Sequence, residues 1–106
     1  MVKRGDIWLA VLDPVVGSEI QKTRPCVIVS PSEMHDYLRT VIVAPMTTGS
    51  KPAPYRIPIS FEAKSGLVLL DQIRAIDKTR LIRKLGSADS LTLSASLARL
   101  QEVFAE

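Results

Sequence analysis

The sequence predicts a mainly β (α+β) fold, a small antiparallel barrel or sandwich followed by one C-terminal helix. Short apolar segments rich in valine and isoleucine recur between residues 5 and 86, and turns that contain proline or glycine separate them. No helical pattern alternates with these segments, which argues against a parallel sheet. Beyond residue 86 the hydrophobic period lengthens to that of an amphipathic helix.

Six segments are predicted to be strands, and prolines help to define their ends. The first ends at Asp13-Pro14, a turn initiator, and the second ends at Pro31. Pro58 lacks the backbone N–H that a central strand needs, so it marks an edge strand or a bulge. The fifth segment is the longest apolar run of the chain. The predicted strands are residues 5–12, 24–30, 39–46, 55–61, 66–76 and 80–86.

The C-terminal segment, residues 87–106, is predicted to form one helix. Its apolar side chains recur at intervals of four, three and four residues, which places them on one helical face. Ser87, Asp89 or Ser90 can cap the first turn, because Gly86 interrupts the preceding strand. We therefore expect a helix that packs on the barrel through Leu93, Leu97, Leu100 and Phe104.

Length and composition restrict the class of protein. A chain of 106 residues is long enough to fold without disulfides, so residues 1–106 are expected to form a single domain. The chain has one cysteine and no stretch that resembles a signal peptide or the roughly 20 apolar residues of a membrane span. We expect a cytoplasmic protein without a membrane segment.

The charged residues are distributed unevenly. The net charge is +3, but residues 72–86 hold five basic side chains and one acidic, whereas residues 87–106 hold one basic and three acidic. A basic stripe suits a polyanion such as nucleic acid, or an acidic protein partner. The alternative is a solvated strand edge that lysine and arginine protect from aggregation.

The sequence does not predict a metal site, a glycine-rich phosphate loop or a cysteine nucleophile. The carboxylates lack ligand spacing, and the one histidine, His35, is expected to be exposed in the link after the second strand. Cys26 has valine and isoleucine as neighbours, so it is expected to be a small core residue. Trp8 is also expected in the core, with base stacking as the alternative.

Polar residues at the ends of apolar strands are the candidate functional groups. Pro25 keeps Arg24 out of the α region, so a rigid strand can aim its guanidinium. Asp71 interrupts an apolar strand, where an unpaired charge is costly. Each residue alone can be structural, Asp71 for example as the partner of an arginine such as Arg24, but together they can surround a phosphate. The set is Arg24, Thr47, Thr48, Asp71 and Gln72.

Six motifs follow one another along the chain. They are "RGDIWL" at residues 4–9, "LDPVVGSE" at 12–19, "TRPCVIVSP" at 23–31, "VAPMTT" at 43–48, "SGLVLLDQIRAID" at 65–77 and "RL" at 80–81. In these motifs the chain resembles the MazF/PemK family of bacterial toxins. The resemblance implies an SH3-like barrel with a C-terminal helix, a homodimer, and a cofactor-free, metal-independent endoribonuclease that cuts single-stranded RNA at short sequences. It also implies a cognate antitoxin whose acidic segment occupies the RNA groove.

The resemblance implies roles for individual residues as well. Arg24 and Thr47 correspond to the arginine and the threonine or serine that carry the cleavage, with Thr48 as an alternative to Thr47. Glu19 corresponds to the glutamate of the Gly-Ser-Glu loop, and Asp71 to the aspartate of the Asp-Gln pair that Gln72 completes. One departure is Leu69, where the PemK-like branch carries a second arginine, so the chain leans toward the MazF-like branch. The residues predicted to bind RNA are Lys22, Thr23, Arg74, Lys78 and Arg80.

The expected chemistry is attack by the RNA's own 2′-hydroxyl on the adjacent phosphorus, which leaves a 2′,3′-cyclic phosphate and a 5′-hydroxyl. This reaction needs a base, an acid and stabilisation of negative charge. Arg24 suits stabilisation, because its fork matches phosphoryl oxygens and arginine is a poor base near neutrality, although family accounts also assign it acid and base work. Thr47 can donate a hydrogen bond to the same oxygens. Glu19 is the predicted base; the alternative is that Glu19 is only an exposed charge on the loop. Asp71 is predicted to orient an arginine.

Two other functions stay open at this point. Barrels of this type also occur in gyrase-poisoning toxins, which bind a protein without cutting RNA and whose activity would lie in the helix near Phe104. A degenerate homologue would only bind the antitoxin. For the nuclease, the loops at residues 13–22, 48–55 and 62–66 are predicted to set the cleavage sequence.

Overall fold

The computed structural model describes residues 1–48 and 51–106, most of which lie in seven antiparallel strands and one helix. Three short 3-10 helices connect them at Ser32–Asp36, Leu70–Gln72 and Lys78–Arg80. The strands are β1 Asp6–Val11, β2 Thr23–Ile28, β3 Thr40–Thr47, β4 Arg56–Phe61, β5 Lys64–Leu69, β6 Arg74–Asp77 and β7 Leu81–Ser87, and the helix is α1 Ser90–Phe104. Gly49 and Ser50, in the predicted loop 48–55, lie outside the described residues.

The strands form one curled sheet in the order β4-β5-β3-β2-β1-β7, and β6 pairs with β3. Every pairing is antiparallel, so the predicted mainly β fold with a C-terminal helix is confirmed. Strand β4 lies at one end of the sheet, which agrees with the edge position that Pro58 indicated. Strand β7 lies at the other end and carries Arg83 and Lys84.

The prediction of one long strand over residues 66–76 is wrong. The chain leaves β5 at Leu69, turns through a 3-10 helix at Leu70–Gln72 and begins β6 at Arg74. Strand β5 pairs with the end of β3, whereas β6 pairs with its beginning. The 3-10 helix brings Asp71 to the surface, where it is exposed, so its charge does not lie inside a buried strand.

The core occupies both faces of β2. Val27 joins one cluster of buried side chains with Ile7 and Val68, while Cys26 and Ile28 join a second on the opposite face. Residues that alternate along a strand point to opposite faces, so a strand buried on both sides has a continuous apolar sequence. The predicted core position of Cys26 is confirmed, and burial raises the pKa of its thiol to about 12.

The helix is capped as expected but is only partly buried. Asp89 caps it, because its Oδ1 accepts a hydrogen bond from Thr92 N at 2.8 Å. Leu100 packs in the first core cluster with Leu97 against it, whereas Phe104 is 71% exposed, so the predicted packing stripe does not reach the last turn. Among residues 1–48 and 51–106, no helix has the length and apolar character that crossing a membrane requires.

The expected exposure of His35 is also wrong, because the ring is only 7% exposed. The 3-10 helix Ser32–Asp36 turns it inward, where Nε2 lies 2.7 Å from Ser30 Oγ and Nδ1 lies 2.9 Å from Val2 O. Two polar partners make burial of an imidazole inexpensive. Trp8 is half-buried against the second core cluster, and its Nε1 donates to Asp6 Oδ2 at 3.3 Å.

Candidate functional site

A cavity of about 170 Å³, here called the Arg24 cavity, lies where β2 begins and β3 ends. It brings together three residues that the sequence indicated, the guanidinium of Arg24 and the hydroxyls of Thr47 and Thr48. The other lining residues are Pro25, Met46, Ile59, Phe61, Glu62, Lys64 and Gly66. The cavity therefore combines an apolar floor with cationic, hydroxyl and carboxylate groups.

Strand pairing explains why Arg24 and Thr47 meet. Strands β2 and β3 pair with Cys26 opposite Pro45, and the same antiparallel register, continued by two residues, brings Arg24 opposite Thr47. Arg24 is half-buried, and its Nε donates to Gln21 O at 3.2 Å. The backbone hydrogen bonds between β2 and β3 therefore fix the relative positions of Arg24 and Thr47.

The opposite wall of the Arg24 cavity is the β4–β5 hairpin. Phe61 pairs with Lys64 across a two-residue turn, Glu62-Ala63, whose φ angles are both positive, 52° and 62°. At Gly66 the backbone approaches β3 so closely that a Cβ would lie 2.6 Å from Thr47 O. Only glycine permits this approach, so Gly66 sets the distance between the hairpin and Thr47.

A second cavity of about 310 Å³, here called the Glu19 cavity, lies under the β1–β2 loop, residues 12–22. Glu19 lines it, but its Oε1 accepts a hydrogen bond from Val16 N at 2.6 Å within the same loop. Gln72 Oε1 accepts from Ile20 N at 2.6 Å and so fastens the loop to the 3-10 helix. Glu19 and Gln72 are thus brought together, though not beside Arg24. The other lining residues are Pro14, Pro45, Asp71, Ile73 and Arg74.

Asp71 pairs with Arg56, a residue that the sequence did not single out, rather than with Arg24. Arg56 Nε donates to Oδ1 at 3.2 Å and Nη2 to Oδ2 at 3.0 Å, a bidentate arrangement at the surface. The hydrogen bond to Asp71 raises the pKa of the Arg56 guanidinium above its ordinary value. The interpretation of Asp71 as an arginine partner is right in type, but its suggested partner is wrong.

Much of the basic segment holds the backbone in place. Arg74 Nη1 donates to Leu12 O at 2.9 Å, and Arg80 Nη1 donates to Asp13 O at 2.6 Å and Val11 O at 3.2 Å, so both fasten the base of the β1–β2 loop. Lys78 Nζ donates to the carbonyl of His35. The two guanidinium groups and the Lys78 ammonium keep further N–H donors, so RNA binding by Arg74, Lys78 and Arg80 stays a prediction.

The two remaining predicted RNA contacts end the β1–β2 loop. Lys22 and Thr23 are exposed, and Lys22 N donates to Asp13 Oδ1 at 2.9 Å. Lys22 adopts a positive φ of 70°, which turns the chain into β2 just before Arg24. Their position beside Arg24 leaves the prediction open, because no contact tests it.

Four cavity residues were not singled out from the sequence, namely Phe61, Glu62, Lys64 and Gly66, although residues 62–66 were predicted as one of the loops that set the cleavage sequence. One signal was available, because a two-residue loop between alternating strands indicates a hairpin and so fixes its register. That register, with Arg56 opposite Leu69, also brings Arg56 near Asp71. In residues 1–48 and 51–106, no three His, Cys, Asp or Glu side chains are grouped to hold a metal ion.

Comparison with known proteins defines the class. The fold is similar to that of MazF from Deinococcus radiodurans, with a TM-score of 0.86, 23% identity, and coverage of 96% of this chain and 94% of that chain. It is also similar to an endoribonuclease in complex with its cognate antitoxin from mycobacterial species, with a TM-score of 0.80, 20% identity, and coverage of 96% and 93%. The fold is therefore that of MazF.

Sequence comparison identifies the family. The family model described as PemK-like, MazF-like toxin of type II toxin-antitoxin system matches residues 3–104. Endoribonuclease MazF of Staphylococcus epidermidis is 42% identical over 91 residues, which cover 80% of this chain and 76% of that protein. The chain belongs to the PemK-like, MazF-like toxin family.

Proposed function

We propose that this chain is the endoribonuclease toxin of a toxin-antitoxin pair, and that it cuts single-stranded RNA, with mRNA as the expected target, at a specific short sequence. Attack by the 2′-hydroxyl, without a metal ion, leaves a 2′,3′-cyclic phosphate and a 5′-hydroxyl. The observation that carries the proposal is that Arg24 and Thr47 line one cavity on adjacent strands. Family membership and the named endoribonuclease relative support it.

Arg24 is proposed to stabilise the negative charge that develops on the phosphoryl oxygens. Its Nε is engaged with Gln21 O, which leaves the two terminal nitrogens to face a phosphate in the cavity. The hydroxyl of Thr47, or of Thr48 beside it, donates to the same oxygens. Loss of one such donor typically lowers the rate by about 10² to 10³.

Glu19 is the proposed base, and its use requires the β1–β2 loop to move. The carboxylate now closes a turn with Val16, in the cavity next to that of Arg24. The loop already touches Arg24 through Gln21, two residues after Glu19. RNA that displaces Val16 N from the carboxylate would free Glu19 for the 2′-hydroxyl, within the 2.6 to 3.2 Å or so that proton transfer needs.

The donor set of the Arg24 cavity supports a reaction without a metal. Its polar side chains are a guanidinium, an ammonium, two hydroxyls and one carboxylate, Glu62. Hard cations such as Mg²⁺ bind through one or two carboxylates together with phosphates, and two cations at the same place oppose such binding.

The proposed partners are RNA, a cognate antitoxin and a second copy of this chain. An antitoxin complex is known for the mycobacterial endoribonuclease of similar fold. A flexible acidic segment of the antitoxin would compete with RNA for Arg24 and the neighbouring basic residues. Family membership supports the homodimer, which brings two cavities into one particle.

The test is cleavage of a single-stranded RNA by the purified chain in excess chelator, with the product termini identified by mass. We expect cleavage products that end in a cyclic phosphate. For Arg24→Ala we expect the cleavage rate to fall by a factor of about 10³. Arg83→Ala is the matched control, because Arg83 is exposed on the edge strand β7, and it should cut at the wild-type rate. An Arg24→Ala protein that cuts at the wild-type rate would overturn the assignment.

One observation favours the alternative of a gyrase-poisoning binder, namely the exposed Phe104 at the end of α1. In that case Phe104→Ala, and not Arg24→Ala, would abolish toxicity, and the pure protein would leave RNA intact. An inactive, antitoxin-binding homologue would also leave RNA intact but would not be toxic. The cleavage assay combined with the toxicity of these variants therefore separates all three functions.

A further inference from the structure

The β4–β5 hairpin forms a wall of the Arg24 cavity, and the proposed chemistry gives it no role. Its tip brings Glu62 and Lys64 to the cavity, on the far side of β3 from Arg24. Within the described residues, no ion pair joins Glu62 to Arg24 or to Lys64. The carboxylate is therefore free to accept hydrogen bonds from a bound molecule.

The hairpin holds Glu62 on a fixed backbone. Pairing of Phe61 with Lys64 closes the turn, and both of its central residues have positive φ, a conformation in which Asn-Gly is preferred over Glu-Ala. The ring of Phe61 packs against β7, since a Cβ at Gly86 would lie 3.0 Å from Phe61 Cε1. The two strands on either side of the turn therefore fix the backbone of Glu62. A residue that recognises a ligand needs such a rigid support.

The backbone position of Glu62, across β3 from Arg24, favours contact with a neighbouring nucleotide over proton transfer at the scissile phosphate. In the sheet, β3 lies between β2 and β5, so two strand spacings, about 10 Å, separate the backbones that carry Arg24 and the hairpin. A base must come within about 3 Å of the proton that it removes. With the scissile phosphate at Arg24 and Thr47, the Glu62 carboxylate faces a neighbouring nucleotide.

We infer that Glu62 determines specificity: its carboxylate accepts a hydrogen bond from the exocyclic amino group of a nucleobase next to the scissile phosphate. An ionised carboxylate only accepts hydrogen bonds, so it suits the amino groups of adenine, cytosine and guanine. Uracil offers one ring N–H between two carbonyl oxygens, which repel a carboxylate. The site therefore selects against uracil at that position.

The charge of the hairpin supports this role. A carboxylate in the cavity that also holds a phosphate-binding arginine lowers the affinity for any RNA, so its benefit lies in discrimination among bases. Lys64, on the same wall, offsets the negative charge and can donate to a base oxygen or nitrogen. Single-stranded RNA is recognised through such contacts to the Watson–Crick edges of unstacked bases.

The inference rests on the proposed cleavage of RNA, and one experiment tests both. A random-sequence RNA is cut by the wild type, Glu62→Gln, Glu62→Lys and Glu33→Gln, and the new 5′ ends are sequenced. Glu33 is the matched control, an exposed glutamate in the 3-10 helix Ser32–Asp36 that does not line the cavity. Circular dichroism and melting curves identify any variant that fails to fold.

At one position beside the cut, the wild type and Glu33→Gln should disfavour uracil about tenfold or more, and Glu62→Gln should reduce this bias at least about fivefold. Glu62→Lys should favour uracil or guanine, whose carbonyl oxygens accept from lysine. An unchanged Glu62→Gln profile, or a rate loss at all sites with unchanged preferences, would overturn the inference alone. A folded wild type that cuts no RNA would overturn the proposed function and the inference with it.

Discussion

The Arg24 cavity and the Glu19 cavity are neighbours, yet they are built in different ways. The Arg24 cavity is walled by strands whose main chains pair with one another, from β2 through β3 to the β4–β5 hairpin. The Glu19 cavity is covered by the β1–β2 loop, which hydrogen bonds from three side chains hold down. Those side chains are Gln72, Arg74 and Arg80.

This difference indicates which part of the site is rigid and which part can move. Displacement of a paired strand breaks many hydrogen bonds at once. Opening of the loop breaks only a few, and each contributes about 1 kcal/mol net to stability. The two groups proposed to stabilise charge, Arg24 and Thr47, therefore lie on the rigid part, and the proposed base, Glu19, lies on the movable part. The arrangement suits a site that assembles fully only when RNA is bound.

The largest effect should follow from Gly66→Ala, which tests the rigid part. The new methyl group would lie 2.6 Å from Thr47 O, a backbone atom that cannot yield without moving β3. We expect a loss of about 2 to 3 kcal/mol in the free energy of unfolding, and a fall in cleavage rate because Thr47 shifts. Urea denaturation at one protein concentration measures the first, and single-turnover cleavage of RNA the second.

Gly17→Ala is the matched control in the movable loop. Gly17 has a φ of 61°, but among residues 1–48 and 51–106 no atom beyond its chain neighbours lies within 4 Å of its Cβ position, so alanine there is strained without a clash. It should cost about 1 kcal/mol and leave Thr47 undisturbed. If Gly17→Ala cost as much free energy of unfolding as Gly66→Ala, the contrast between the two cavities would be lost. The cleavage rate of Gly17→Ala is not part of this control, because Gly17 lies in the turn that holds Glu19, the proposed base.

A smaller effect is expected from Arg80→Ala, which tests the fastening of the loop. Arg80 Nη1 donates to Val11 O and Asp13 O, and alanine leaves both carbonyls without this donor. We expect a loss of about 1 to 2 kcal/mol and faster amide hydrogen exchange in residues 12–22, with exchange in β3 unchanged. Exchange that quickens equally in the loop and in β3 would contradict the separation of the two regions.

The same variant decides whether Arg80 also binds RNA. For single-stranded RNA, the logarithm of the affinity falls linearly with the logarithm of the salt concentration. Each lost contact between a basic side chain and a phosphate makes this slope shallower by about 0.7. Arg80→Ala should show this change if the guanidinium's other donors reach a phosphate. Arg83→Ala provides the baseline, because Arg83 is exposed on β7 and lines neither cavity.

The sequence was sufficient for most of the strands, the helix and the Arg24–Thr47 pair because these follow from local patterns, whereas it missed the break between β5 and β6. Apolar runs that end at proline define β1 and β2, and a 3.6-residue period with Asp89 as its cap defines α1. Arg24 and Thr47 lie at ends of consecutive strands that pair as neighbours. Local sequence patterns are thus sufficient to predict the part of the candidate site that lies on paired strands.

The rest depends on contacts that are distant in sequence. Arg56 meets Asp71 through the hairpin register, and Gln72 meets Ile20 across 52 residues. The orientation of His35 depends on how a 3-10 helix packs, which no periodicity encodes. Glu62 was named only as part of a loop, because a turn with two positive φ angles at glutamate and alanine runs against sequence preference.

The smallest effect, with the opposite sign, is expected from Ala63→Gly in the hairpin turn. Ala63 has a φ of 62°, a left-handed conformation that costs an L-residue about 1 kcal/mol or more and costs glycine almost nothing. Because glycine also gives the unfolded chain more freedom, a net gain of about 0.5 to 1 kcal/mol in the free energy of unfolding is expected from urea denaturation.

The control is Ala98→Gly, the same substitution at an exposed position inside α1, which should cost about 1 kcal/mol. A gain in the free energy of unfolding for Ala63→Gly, together with a loss for Ala98→Gly, would establish that the turn holds Ala63 in a conformation that alanine disfavours. Ala63→Gly should also loosen the tip that carries Glu62, so the bias against uracil should weaken while the overall cleavage rate stays near that of the wild type. A more stable variant with an unchanged bias would mean that turn rigidity does not contribute to base selection.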